Sequence, residues 1–161
     1  RGLERRVCRA NHARHRPQRF LQHAHPGSVR VRSRGPDLLP RGTLACAPEE
    51  QHEIGCLIFS VLLRHDGYRV EYLGPDLPLD DIVDYAKQEK PAMILMSATM
   101  EENAVRLEKM QDKLSKIKPK PIFGFGGQAY IRKPALRQST PGVYMGDTVV
   151  DGRTIVEKLL G

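Results

Sequence analysis

The chain predicts an open α/β fold: a parallel sheet with helices on both faces. From Thr43 onward, short apolar runs of strand length alternate with segments whose apolar residues recur at helical spacing. One of those runs, residues 92–96, is apolar at every position, as a central strand covered on both faces must be. Residues 1–42 show neither period, which sets the fold's start near Thr43.

The elements follow in order. Residues 43–47 form a first strand. A polar loop, Pro48-Glu49-Glu50-Gln51-His52-Glu53-Ile54-Gly55, leads to an apolar helix over residues 56–63. Residues 68–73 are rich in β-formers and end at Gly74-Pro75. Leu79, Ile82, Val83 and Ala86 mark a second helix, with Asp80 and Asp81 favourable in its first turn. After the strand over 92–96, Ala104, Leu107, Met110, Leu114 and Ile117 mark one face of a long helix. Residues 121–125 form a fourth strand running into Gly126-Gly127. A short helix over 129–137, a fifth strand over 143–145 and a last helix over 148–160 complete the chain. Five such units predict the flavodoxin-like, Rossmann-like strand order 2-1-3-4-5.

Composition narrows the function. The 161 residues suffice for one domain, residues 43–161, behind a leader, residues 1–42. No apolar run reaches about 18 residues, so no membrane span or membrane partner is expected. No secretory signal is visible, and Cys8, Cys46 and Cys56 have no CxxC spacing; reduced thiols in a cytoplasm are the expectation. Residues 1–45 carry eleven Arg, no Lys and two acids, a local charge of +9 within a total of +7, which leaves −2 for the rest. Polyanion affinity therefore belongs to the leader. With Pro17, Pro26, Pro36 and Pro40 and no periodic apolar face, the leader is expected to be disordered.

The loop after the first strand holds the chemistry. Loops at the carboxyl edge of such sheets bind ligands. This one presents a single imidazole, His52, with the Glu50 carboxylate two residues before it, and closes on Gly55, where a close approach or sharp turn is expected. A metal-bound imidazole needs an acceptor on its second nitrogen, and Glu50 is placed to supply one. Glu49 and Glu53 read as solvated charges. Ser97 and Thr99 put hydroxyls at the end of the third strand, where they also suit helix capping. Gly126 and Gly127 leave out side chains at the end of the fourth; Gly74 and Gly146 are lesser candidates for a pocket rim. Tyr144 reads as core. The three glutamates of the first loop would repel a phosphate, which argues against a flavin-phosphate site. Ser97 stands where a phosphoacceptor domain needs an aspartate.

The pattern Glu50-x-His52-x-x-Gly55 resembles the Asp-x-His-x-x-Gly signature of cobalamin-binding domains, and Ser97-Ala98-Thr99 and Gly126-Gly127 stand at matching later places. The resemblance covers residues 43–161 and extends to methionine synthase and corrinoid-protein domains. The wording Gly74-Pro75-Asp76-Leu77-Pro78 looks most like the light-sensing, MerR-type cobalamin regulators. It implies His52 as lower axial ligand of cobalt, Glu50 as its partner, and Gly55, Ser97, Thr99, Gly126 and Gly127 around the displaced nucleotide tail. Glutamate in place of aspartate is one methylene longer, which predicts a differently angled hydrogen bond. The resemblance further implies a sensory module of a cobalamin-dependent transcriptional regulator, with adenosylcobalamin expected ahead of methylcobalamin. A corrinoid carrier of a methyltransferase system is the alternative, and a cofactor-free scaffold a third reading. None of these makes the chain a complete enzyme. DNA contact is expected only through a domain outside this chain or weakly through the leader; a homo-oligomer fits the family.

Overall fold

A computed structural model describes residues 40–161 of the protein. The leader expected over residues 1–42 therefore lies outside the described residues as far as Leu39. The five strands are β1 (Arg41–Cys46), β2 (Arg69–Tyr72), β3 (Met93–Ser97), β4 (Ile122–Gly126) and β5 (Val143–Tyr144). They pair in parallel throughout, in the order β2-β1-β3-β4-β5, as the alternation of elements predicts. β1 begins two residues ahead of the expected Thr43, because Arg41 and Gly42 pair with Arg69 and Val70.

Helices α1 (Ile54–His65) and α7 (Val149–Leu160) cover one face of the sheet. The other carries α2 (Leu79–Glu89), α3 (Glu101–Arg106), α4 (Met110–Ser115), α5 (Gln128–Arg132) and α6 (Ala135–Ser139). The pleat sorts side chains between two cores. Leu44, Cys46, Met93 and Leu95 pack with Cys56, Leu63 and Val156. Ala45, Ala47, Ile94 and Met96 pack with Ile82, Leu107, Leu114 and Tyr130.

Two helices differ from expectation. The long one after β3 is broken by a tight turn at Leu107–Lys109. Its buried stripe steps by three residues from Ala104 to Leu107 and again to Met110, a spacing that three residues per turn satisfies. The helix expected over 129–137 divides at Pro134, which cannot donate into a continuing helix. Among the described residues no helix is long and apolar enough to cross a membrane.

Candidate functional site

The loop between β1 and α1 sits at the carboxyl edge, beside the switch where the strand order reverses. Glu50 turns inward and is fully buried, whereas the His52 side chain stays 63% exposed. Glu50 Oε1 accepts the His52 backbone N–H at 3.0 Å and faces Nδ1 of the ring at 2.6 Å. Its Oε2 accepts the backbone N–H groups of Thr99 at 2.7 Å and Met100 at 3.1 Å, and Nδ2 of Asn103 at 3.2 Å. Burial pushes this carboxyl up, but the donors from Thr99, His52 and Met100 outweigh it and hold it at about 2. A carboxylate ionised that firmly places the ring proton on Nδ1. In the neutral ring that arrangement leaves the lone pair on Nε2, which no described residue hydrogen-bonds.

The added methylene of glutamate is thus used. It lets one carboxylate serve the ring with one oxygen and the start of α3 with the other. Of the neighbours, Glu49 is exposed as expected and pairs with Arg106 at 2.5 Å, whereas Glu53 is half-buried and its Oε2 accepts the Tyr72 hydroxyl at 2.8 Å.

A cleft of about 740 Å³ opens beside His52, between the ends of β1, β3, β4 and β5 and the start of α7. His52, Gly55, Ser97, Thr99, Gly126 and Gly127 all line it, and Glu50 lies behind His52. Gly55 is not at the sharp turn expected of it. It lies in the first turn of α1, and a Cβ there would meet nothing within 4 Å, so its bareness leaves open space in the cleft. Gly127 is different: at φ +107° it carries the backbone past Ala98, whose carbonyl oxygen a Cβ would meet at 2.4 Å. Replacing it strains the turn, whereas Gly126 has room, with Met145 Cβ at 3.6 Å.

Neither Ser97 nor Thr99 caps α3, whose N-cap residue is Met100 with no side-chain cap; the Glu50 carboxylate takes up the adjacent N–H groups. Gly146 joins the lining, and Gly74 does not. Tyr144 is half-buried, its hydroxyl on Asp147 at 2.6 Å and the Arg137 guanidinium 4.3 Å above its ring.

The roles of several residues escaped the sequence reading, two of which, Ile54 and Asp76, stood in quoted stretches without one. Asn103 and Asp76 brace the loop from distant elements: Asp76 accepts the Glu49 N–H at 2.7 Å and Gln51 Nε2 at 3.4 Å. Ile54, 73% exposed, and Val149 give the cleft an apolar rim. Met145 and Gly152 line its β5–α7 side. Beneath the loop, the neighbouring Cys56 thiol lowers Cys46, while Cys46 and burial raise Cys56, whose Sγ donates to the Ala45 carbonyl oxygen at 3.7 Å. Among the described residues no cluster of three His, Cys, Asp or Glu could hold a bare metal ion.

The donor set suits a group that brings most of its own ligands: one oriented imidazole nitrogen, a cleft beside it, and free hydroxyls in the lining. Comparison with known proteins agrees. The B12 binding domain family model matches residues 40–151. The methanol–corrinoid protein of Methanosarcina barkeri is 31% identical over 122 residues, 74% of this chain and 46% of that protein. The HTH-type transcriptional repressor CarH of Myxococcus xanthus is 30% identical over 108 residues, 66% of this chain and 36% of that protein. The chain thus spans less than half the length of either relative. Among solved structures, a cobalamin-binding protein from Desulfitobacterium hafniense DCB-2 shares the fold with a TM-score of 0.70 at 22% identity, covering 77% of this chain and 60% of that one. The methanol:cobalamin methyltransferase complex MtaBC from Methanosarcina barkeri matches with a TM-score of 0.65 at 29% identity, covering 74% and 45%. With the family model running from the residue before β1 into the first turn of α7, this chain belongs to the B12-binding domain family.

Proposed function

We propose that the domain holds cobalamin with its own benzimidazole displaced and His52 Nε2 as the lower axial ligand of cobalt. The observation that carries the reading is the buried Glu50 carboxylate on Nδ1, which fixes the ring and leaves Nε2 as the donor. The displaced nucleotide tail fits the cleft, where Ser97 and Thr99 offer hydroxyls and Gly126 and Gly127 leave space. Gly55 leaves room beside His52. Bound cobalamin supplies a cobalt–carbon bond that light or transfer of its carbon group can break. The residues of this chain bind and orient; the reading gives none of them a role as acid, base or nucleophile, so the domain is a cofactor module rather than an enzyme.

The module serves as the sensor of a cobalamin-dependent transcriptional regulator, with adenosylcobalamin as the signal. The Gly74-Pro75-Asp76-Leu77-Pro78 wording and the likeness to CarH support this. The corrinoid carrier of a methyltransferase system is the second reading, favoured by the longer alignment with the methanol–corrinoid protein. Ligation is tested by spin resonance of the cobalt(II) form in protein carrying isotope-labelled histidine. Splitting that follows the label is expected; splitting from the benzimidazole nitrogen overturns the assignment. Methyl transfer to a thiol acceptor by an added partner enzyme decides for the carrier, and a light-dependent change of the adenosylcobalamin-loaded protein for the sensor.

A further inference from the structure

The cleft beside His52 changes in chemistry from mouth to floor. Its polar side chains stand toward the mouth: Ser97 and Thr99 are half-buried, and Gln128 and Asp147 are exposed. Its floor is made by Leu44, Cys56, Leu95 and Met145, all buried and all part of the core that α1 and α7 cover. Phe59 packs against that core and walls one side of the cleft. The ring has room there because residue 152 is glycine: a Cβ on Gly152 would meet Phe59 Cζ at 2.8 Å. Glycine is unfavourable inside a helix, and α7 carries it where the aromatic wall stands. Polar atoms near the floor are already engaged. The Cys56 thiol is directed to the Ala45 carbonyl oxygen at 3.7 Å, and Glu53 Oε2 accepts the Tyr72 hydroxyl at 2.8 Å. Leu44 and Leu95 lie in strands paired on both sides. Of the floor side chains, only the Met145 thioether still offers an acceptor, and a weak one.

We propose that this apolar floor selects the base at the end of the corrinoid's tail, accepting a benzimidazole or a phenol and disfavouring a purine. The proposal rests on the reading above, in which the tail is displaced into this cleft. Phosphate and ribose are the polar part of the tail and match the hydroxyls toward the mouth, which leaves the terminal base for the floor. Dimethylbenzimidazole carries methyl groups and a single free ring nitrogen, and a cresol-type base carries no ring nitrogen. Adenine carries an amino group and several ring nitrogens around its edge. Each of these is hydrogen-bonded in water, and the floor has no side chain to replace that water. Purine and benzimidazole share one fused-ring outline, so shape separates them little. The unpaired polar edge separates them, by about tenfold to a hundredfold in a hydrophobic pocket.

The test measures binding of three corrinoids to the full chain by equilibrium dialysis: hydroxocobalamin, its adenine-tailed analogue and its p-cresol-tailed analogue. Adenine leaves cobalt more readily than dimethylbenzimidazole, so ease of displacement alone would favour the adenine tail. A preference for cobalamin over that analogue therefore comes from the pocket. Cobalamin and the cresol-tailed analogue are expected to bind alike, and the adenine-tailed one about tenfold to a hundredfold more weakly. Met145→Gln, or Cys56→Ser should the first fold poorly, puts a hydrogen-bonding side chain in the floor and is expected to narrow that gap about threefold or more. An adenine tail held as tightly as that of cobalamin, or a cresol tail rejected with it, overturns the selection and leaves cobalamin binding intact. A folded variant that keeps the wild-type ratio overturns the assignment of the floor. A chain that binds none of the three overturns the reading on which the proposal rests.

Discussion

Glu50→Gln is the sharpest perturbation the structure offers. The wild-type carboxylate receives donors on both oxygens: the His52 backbone and ring on one, and Thr99, Met100 and Asn103 on the other. Glutamine keeps the shape but replaces one acceptor by a donor. If its oxygen stays with α3, its amide faces the His52 N–H and Nδ1. The ring must then accept at Nδ1, which moves the proton to Nε2 and removes the lone pair proposed to meet cobalt. If the amide turns the other way, three donors lose their acceptor. Each buried unsatisfied donor costs about 1–3 kcal/mol.

The pH dependence adds a second measure. Lowering a carboxyl from 4.5 to about 2 on folding corresponds to about 3 kcal/mol. Because the folded value is the lower one, that stability is complete above pH of about 4.5 and is lost as pH falls toward about 2. Urea unfolding of the cofactor-free protein at several pH values measures both quantities. Glu50→Gln is expected to lose about 2–4 kcal/mol at pH 7 and to show a flatter fall in stability between pH of about 4.5 and 3. Cobalamin affinity is expected to drop roughly 10–100-fold. A variant as stable as wild type at pH 7, with the same acid profile, refutes the argument that this carboxylate is charged and anchors the loop.

Other expectations follow from the same geometry. His52→Ala keeps the fold, since the side chain is largely exposed, but loses most cobalamin affinity; calorimetric titration measures the loss, and wild-type affinity in that variant rules out ligation. Gly55→Leu fills open cleft space within a helix, so thermal unfolding should be unchanged or raised while cobalamin binding is lost. Gly126→Val tests the tail pocket better than Gly127→Leu, because the latter strains the turn at Ala98 and confounds blockage with misfolding; unaltered affinity in a folded Gly126→Val protein removes Gly126 from the site. A chain beginning at Pro40 is expected to unfold cooperatively and bind cofactor, and aggregation of that chain would show that the preceding residues are needed.

The fold was legible because its strands and helices announce themselves through two incompatible periods. Alternation predicts the parallel sheet and, with five units, its order; β3 and the stripe from Ala104 to Ile117 lie within a residue of where the apolar residues put them, and β1 within two. Glu50 and His52 were legible because they are close in sequence and share one short loop. The site's other supports were not. Asn103 reaches Glu50 across 53 positions, and Asp76, although part of the quoted 74–78 wording, reaches Glu49 across 27; sequence spacing reveals neither contact. Gly55 and Gly127 look alike as letters, yet one opens the cleft and the other lets two backbones pass. Only the neighbours of an absent Cβ separate the two.

Bonds within the chain hold the loop in place, and Asp76 tests what they are worth. Glu49 sits at φ +64°, a conformation that costs a non-glycine residue energy. It is held there from three sides: its N–H by Asp76, its carbonyl by Asn103 and its carboxylate by Arg106. A loop ordered in advance spares binding the entropy of ordering it, about 1–2 kcal/mol for each backbone residue fixed. Asp76 itself has φ +50°, so Asp76→Ala would mix lost bonding with new strain. Asp76→Gly avoids that, because glycine accepts the conformation freely and only the side chain is lost. Freed from Asp76, Glu49 and Gln51 can relax, and His52 then has to be ordered by the ligand. Asp76→Gly is therefore expected to change global stability little but to weaken cobalamin binding about tenfold, one residue's ordering entropy. Asp76→Asn, which keeps an acceptor for the Glu49 N–H, should retain most of the affinity. Amide hydrogen exchange of residues 49–53 in the cofactor-free protein reads the same effect directly. Faster exchange in Asp76→Gly with undiminished affinity would mean that the order of this loop contributes nothing to binding.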